Sequence, residues 1–170
     1  MAEGEAPRRA GFVAILGAPN VGKSTLVNHL VGSKVSIVSP KVQTTRSRVR
    51  GIRMEGAAQL VLVDTPGIFE NAKRRLERAM VHAAWSGAQD ADAILVLVDA
   101  QRGIDENTKQ ICQTLVKSGR KALVAINKID QALHENLLTL AGALEDDASA
   151  ERVFMISALD GQGVDDLLNY

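Results

Sequence analysis

The octet Gly17-Ala18-Pro19-Asn20-Val21-Gly22-Lys23-Ser24 is a complete GxxxxGK[ST] pattern, set between an apolar run and a segment of helical character. Its two glycines let the backbone wrap with N–H groups turned inward, and the positive end of the following helix adds to the same potential. Such a loop meets the charge of a phosphate chain from several sides. Lys23 brings a mobile positive charge to the β- and γ-phosphates, and Thr25 extends the loop into the helix. Ser24 offers a hydroxyl to Mg²⁺, a hard cation that prefers oxygen and keeps several of its waters.

A second group, Asp64-Thr65-Pro66-Gly67, closes the apolar run at residues 60–63, where ligands of open α/β sheets gather. Asp64 is the expected magnesium ligand there, directly or through water. Gly67 lets its N–H approach the γ-phosphate with no Cβ in the way.

The base is specified elsewhere. Asn127-Lys128-Ile129-Asp130 follows the apolar run at residues 122–126. A carboxylate at Asp130 accepts from both N1–H and the 2-amino group of guanine, whereas adenine offers a lone pair at N1 and no 2-amino group. Adenine would leave that carboxylate unpaired, and a site built on such bonds rejects the wrong base strongly. Asn127 would tie the base loop to the phosphate loop, and the stem of Lys128 would cover the face of the base. Ser157-Ala158-Leu159 follows a further apolar run, with the Ala158 N–H directed at guanine O6.

Five short apolar runs, at residues 12–16, 60–63, 93–98, 122–126 and 153–156, must position these groups. Each is continuous and not alternating, as in parallel strands covered on both faces, and the intervals are long enough for crossover helices. The class is a three-layer α/β fold. Residues 46–54 differ: Arg46, Arg48 and Arg50 alternate with Ser47, Val49 and Gly51, the pattern of an edge strand with one solvated face. Charge on an edge discourages pairing with other chains, and that reading of the arginines stands ahead of a partner or RNA contact.

With 170 residues, 46% of them hydrophobic, the chain suits one domain, and 20 basic against 20 acidic residues excludes a whole-domain basic footprint for nucleic acid. No apolar run approaches the length of a membrane-spanning helix, and there is no signal core at the N-terminus, so a cytoplasmic protein is expected. Residues 1–10 read as a disordered leader and 11–170 as the domain. The helix expected near Val164 has only a few residues before Tyr170, which suggests a piece of a longer protein. The single cysteine, Cys112, has no zinc-spaced partners and reads as a small buried apolar residue. His29, His82 and His134 show no ligand spacing, and Trp85 reads as packing.

The motifs GAPNVGKS, DTPG, NKID and SAL, in this order, resemble those of the translation-factor-related GTPases. The segment PKVQTTR at residues 40–46, the run GAPNVGKSTLVN and a hydrophobic residue after DTPG look most like Era-type GTPases, which act in bacterial ribosome assembly. The resemblance spans residues 11–170. It implies a six-stranded P-loop NTPase sheet of order 2-3-1-4-5-6 with strand 2 antiparallel. It places Thr45, ahead of Thr44, as the switch ligand of magnesium and the γ-phosphate, with Lys23, Thr45 and Gly67 as the catalytic set. GTP and GDP would be the ligands, with small-subunit ribosomal RNA reached mainly through a KH domain beyond residue 170. The resemblance further implies a monomer and peripheral membrane association of the full-length protein.

Hydrolysis in such a site is positioning plus electrostatic stabilisation. Ras-type enzymes place a water-orienting glutamine after DxxG, and this chain has Ile68, so slow intrinsic turnover is expected. Asn20 reads evenly as a potassium ligand, the ion acting like an arginine finger, or as a stabiliser of the loop. Thr45 and Gly67 would lose their anchor when the γ-phosphate leaves, making residues 33–48 and 67–75 the switches. Lys73, Arg74 and Arg75 read as a solvated helix face before a partner contact. A nucleotide-gated binding module is the rival to a working GTPase, and a P-loop kinase is disfavoured because NKID and SAL have no place in one.

Overall fold

In strand β1 (Arg9–Gly17), Ala14 and Leu16 face one layer of the molecule and Ile15 the other, all at 0% exposure. Both faces of the central strand are therefore covered, the condition that favours continuous apolar sequence over alternation. The computed structural model describes residues 9–35, 49–68, 73–147 and 149–170.

The other strands are β2 (Val49–Glu55), β3 (Ala58–Asp64), β4 (Ala93–Asp99), β5 (Ala122–Asn127) and β6 (Ala150–Met155). They form one sheet of order β2-β3-β1-β4-β5-β6. Only β2 is antiparallel to its neighbour, as the resemblance implies. The β2–β3 hairpin closes through a two-residue turn in which Gly56 takes φ 56°, a conformation open to glycine at little cost.

One face is packed by α2 (Arg75–Gln89), α3 (Glu106–Lys117) and α4 (His134–Glu145), which bury Ala84, Ile111 and Leu144 against Val96 and Ile126. The other is packed by α1 (Lys23–Val31) and α5 (Val164–Asn169), which bury Leu26 and Leu167 against Ile15 and Leu97. Arg120 fastens the end of α2 from outside: its guanidinium donates to the carbonyls of Ala88 at 2.6 Å and Ala91 at 2.8 Å. Ala88 lies in the last turn of α2 and Ala91 two residues past its end, so the arginine ties the helix terminus to the chain that leaves it.

Some boundaries differ from those expected. β1 starts at Arg9, so the last two residues of the expected leader pair with Ala58 and Gln59. Ladder bonds use the backbone and extend a strand beyond its apolar stretch. Residues 1–8 lie outside the described residues, as do Arg46 and Arg48, while Arg50 is exposed on β2. β6 begins three residues before its apolar run and stops at Met155, leaving the fully buried Ile156 beyond it. Cys112 is buried in α3, as expected.

Candidate functional site

The loop between β1 and α1 has every carbonyl engaged. Gly17 O accepts from the Ile68 N–H at 3.0 Å and, with Ala18 O, from Lys23 Nζ at 3.2 and 2.8 Å. Pro19 O accepts from Arg102 Nη1 at 2.9 Å, and Asn20 O from Lys128 Nζ at 2.7 Å. Val21 O accepts from Asn127 Nδ2 at 2.8 Å, and Gly22 O from the Leu26 N–H at 2.9 Å, the first bond of α1. No peptide here is cis, and across a trans peptide the N–H points opposite to the C=O. Holding the carbonyls of Pro19, Asn20 and Val21 from outside the loop therefore turns the next amides toward its hollow, which makes an anion-binding concavity at the positive end of α1.

Lys23 and Ser24 open α1 and are buried. Burial lowers the Lys23 pKa from 10.5 to about 8; the neighbouring Asp64 charge works to raise it and that of Arg102 to lower it. Ser24 donates through Oγ to Asp64 Oδ2 at 2.7 Å, where Asp64 ends β3 at 0% exposure. This pair offers only oxygen, the donor set that suits magnesium. Thr65 turns its hydroxyl away, donating to Ile15 O at 2.6 Å, so its work is to fix the turn. Gly67 lies so close to the loop that an added Cβ would stand 3.0 Å from Pro19 Cα. Ile68 is buried in the same core cluster as Ala84, Ala88 and Val96, so its side chain is withdrawn from solvent.

At the base end, Asn127 is the hinge-pin. Its Nδ2 holds Val21 O, and its Oδ1 accepts from the Ala158 N–H at 2.9 Å. One buried side chain thus joins the phosphate loop, the end of β5 and the loop after β6. The Ala158 amide expected at guanine O6 is engaged with Asn127 in this structure, so O6 would have to share it. Asp130 lies exposed in the 3-10 turn Ile129–Gln131, Ser157 is fully buried, and Leu159 is 71% exposed. Thr44 and Thr45 lie outside the described residues. Lys73 and Arg74, just before α2, and Arg75, its first residue, are all exposed.

Two residues escaped sequence reasoning. Asp99, buried at the end of β4, takes Lys128 Nζ at 2.6 Å on Oδ2 and the Gln101 N–H on Oδ1. Burial pushes its carboxyl pKa up, but the Lys128 hydrogen bond, the Gln101 amide and the Lys128 charge together hold it below the ordinary 3.8. Arg102 follows in the same turn. The available signal was position: β4 adjoins β1 in the sheet, so its carboxyl end faces the same crevice. Among the described residues, no group of three or more His, Cys, Asp or Glu could hold a metal, and no helix is long and apolar enough to cross a membrane.

A glycine loop joining a central parallel strand to a helix, a carboxylate at the next strand end and an Asn-Lys-x-Asp turn define a P-loop nucleotide-binding domain of the GTPase class. The sequence profile of the 50S ribosome-binding GTPases matches residues 12–128. The chain belongs to that family, and within it to the Era type. It is 54% identical to the GTPase Era of Rhizobium meliloti over 99% of its own length, and 58% identical to that of Afipia carboxidovorans over 95%. It spans only about half of these relatives, 54% and 52% of their length. Era in complex with MgGDPNP and nucleotides 1506–1542 of 16S ribosomal RNA superposes with TM-score 0.89 at 41% identity, covering 96% of this chain and 56% of that one. An Aquifex aeolicus Era variant bound to GDP and AlF4⁻ gives 0.87 at 42%, covering 95% and 55%.

Proposed function

We infer that this chain binds GTP with Mg²⁺ and hydrolyses it to GDP and phosphate, as the nucleotide switch of a cytoplasmic protein of small-subunit ribosome assembly. The observation that carries the reading is Asn127, which joins the phosphate loop to the base loop through Val21 O and the Ala158 N–H. That bridge sets the two loops at a fixed spacing, as a ligand spanning both would need. The relatives support the rest: one is bound to MgGDPNP and a 16S ribosomal RNA fragment.

In this reading the inward amides of residues 17–24 hold the phosphates, and Lys23 leaves its two carbonyls to pair with them. Ser24 and Asp64 would hold the magnesium, exchanging their mutual hydrogen bond for it; the ion supplies a positive charge to the phosphate oxygens. Gly67 offers its N–H close to Pro19, at the γ-phosphate end, and Thr45 is assigned to the same oxygen set. Asp130 reads the guanine edge, and the stem of Lys128 lies along the ring. Asn20 is assigned to a potassium ion. Its φ of 63°, rare outside glycine, is a conformation that tertiary contacts must hold, and the Lys128 bond to its carbonyl does so. RNA contact, and the monomeric state and peripheral membrane association of the full-length protein, extend the reading on resemblance alone.

The burial of Ile68 favours a second reading, a gated binding module whose turnover is incidental, because no polar side chain follows DxxG to orient water. Single-turnover GTP hydrolysis with magnesium, in potassium and in sodium, beside a Lys23→Ala control, decides between them. Turnover that needs Lys23 establishes the enzyme, and faster turnover in potassium supports the ion at Asn20. Tight guanine-nucleotide binding with no turnover in either salt selects the binding module.

A further inference from the structure

Arg102 belongs to none of the four motifs, yet it reaches 83 residues back along the chain to the crest of the phosphate loop, where its Nη1 donates to Pro19 O at 2.9 Å. The turn that presents it is built firmly. The Gly103 N–H bonds Asp99 O at 2.9 Å, with Gly103 at φ 65°, and Gln101 is held at both ends, by its N–H on Asp99 Oδ1 and by Nε2 on Gln131 O at 3.0 Å. Asp99 in turn holds Lys128, which holds Asn20 O. The two carbonyls at the crest, of Pro19 and Asn20, are thus gripped by two cations that the β4–α3 turn organises.

The peptide between Pro19 and Asn20 is the informative one. Proline has no N–H, so the loop presents no amide at position 19, and the Asn20 N–H must serve that stretch. Fixing Pro19 O outward aims that N–H inward. The same bond brings the guanidinium charge of Arg102 to the crest of the loop, 2.9 Å from its backbone, where an anion in the hollow would feel it.

We propose that Arg102 is a positioning residue of the nucleotide site: it aims the Asn20 N–H through the Pro19 carbonyl and adds positive potential that favours the triphosphate over the diphosphate. This rests on the function proposed above. Pro19 is also the residue against which Gly67 packs, so Arg102 stiffens the surface that Gly67 touches.

The test is equilibrium binding of GTP and of GDP with magnesium to the whole chain, at low and high ionic strength, for Arg102→Gln, Arg102→Lys and Lys23→Ala. Arg102→Gln is expected to weaken GTP binding by about 3- to 10-fold, and GDP binding by less, as for loss of one charged donor at an exposed position. Arg102→Lys should restore most of the loss, and high salt should shrink the difference, which a purely structural role would not produce. Equal loss for both nucleotides, no loss, or a lysine variant as weak as the glutamine variant overturns the proposal. If Lys23→Ala weakens GTP and Arg102→Gln does not, this inference alone fails; if neither does, the phosphate-loop reading fails with it.

Discussion

The side-chain amide of Asn127 occupies the space that a Cβ on Gly22 would need: the two would stand 2.2 Å apart. Gly22 also takes φ 102°, outside the range of ordinary side chains. The second glycine of the motif is therefore demanded twice, once by the backbone and once by a residue 105 positions away.

Gly22→Ala should accordingly cost about 2–3 kcal/mol from strain and displacement of the amide. Asn127→Ala leaves Val21 O and the Ala158 N–H without their buried partner and should cost about 2–4 kcal/mol. Urea unfolding without nucleotide measures both. Wild-type midpoints would show that the bridge is not holding the loops.

Ile68 invites the opposite experiment to the one its position after DxxG suggests. Ile68→Gln puts an amide among Ala84, Ala88 and Val96, and should destabilise the fold by about 2–4 kcal/mol without raising turnover. Melting temperature and single-turnover rate, read together, test this. Faster hydrolysis in a stable variant would mean that the side chain can leave the core.

For the base, Asp130→Asn should shift preference from guanine to xanthine nucleotides, because an amide donor would face the xanthine 2-oxo group. Competition binding of GTP and XTP should show a change on the order of 10² or more. Unaltered guanine affinity would remove Asp130 from the site.

Asp99 supplies a pH signature. Its folded pKa is below the ordinary 3.8, so its contribution to stability is complete above that value and is lost as pH falls through the folded pKa. Lys128 and the turn at Gln101 are the groups that face it. Asp99→Asn should be less stable than the parent by a constant amount at neutral pH, with the gap closing below pH 3.8. A gap that stays open in acid would show that the carboxylate charge is not what matters.

The elements that carry the site were legible because each functional group sits at the end of a continuous apolar run, and such runs survive without tertiary information: Asp64 after β3, Asn127 after β5, Ser157 just past β6. The roles of Asp99 and Arg102 were not legible. A carboxylate and an arginine in a turn look like any solvated pair until the sheet order brings β4 beside β1. For a related reason nothing local reveals that the Ala158 amide, expected at guanine O6, also bonds Asn127 Oδ1. Strand starts at Arg9 and Ala150 are not legible because ladder pairing acts on backbone and leaves no mark on side-chain type.

The six satisfied carbonyls of residues 17–22 have a thermodynamic consequence. A loop free to rotate its peptides must surrender conformational entropy when an anion arrives, at roughly 1–2 kcal/mol per residue fixed. Here that entropy is given up during folding, through donors drawn from residues as distant as 102, 127 and 128. The anion then meets amides already aligned, and nucleotide affinity becomes partly a property of the whole fold. Substitutions that remove one of these distant donors should therefore weaken nucleotide binding even where the donor itself does not touch the ligand.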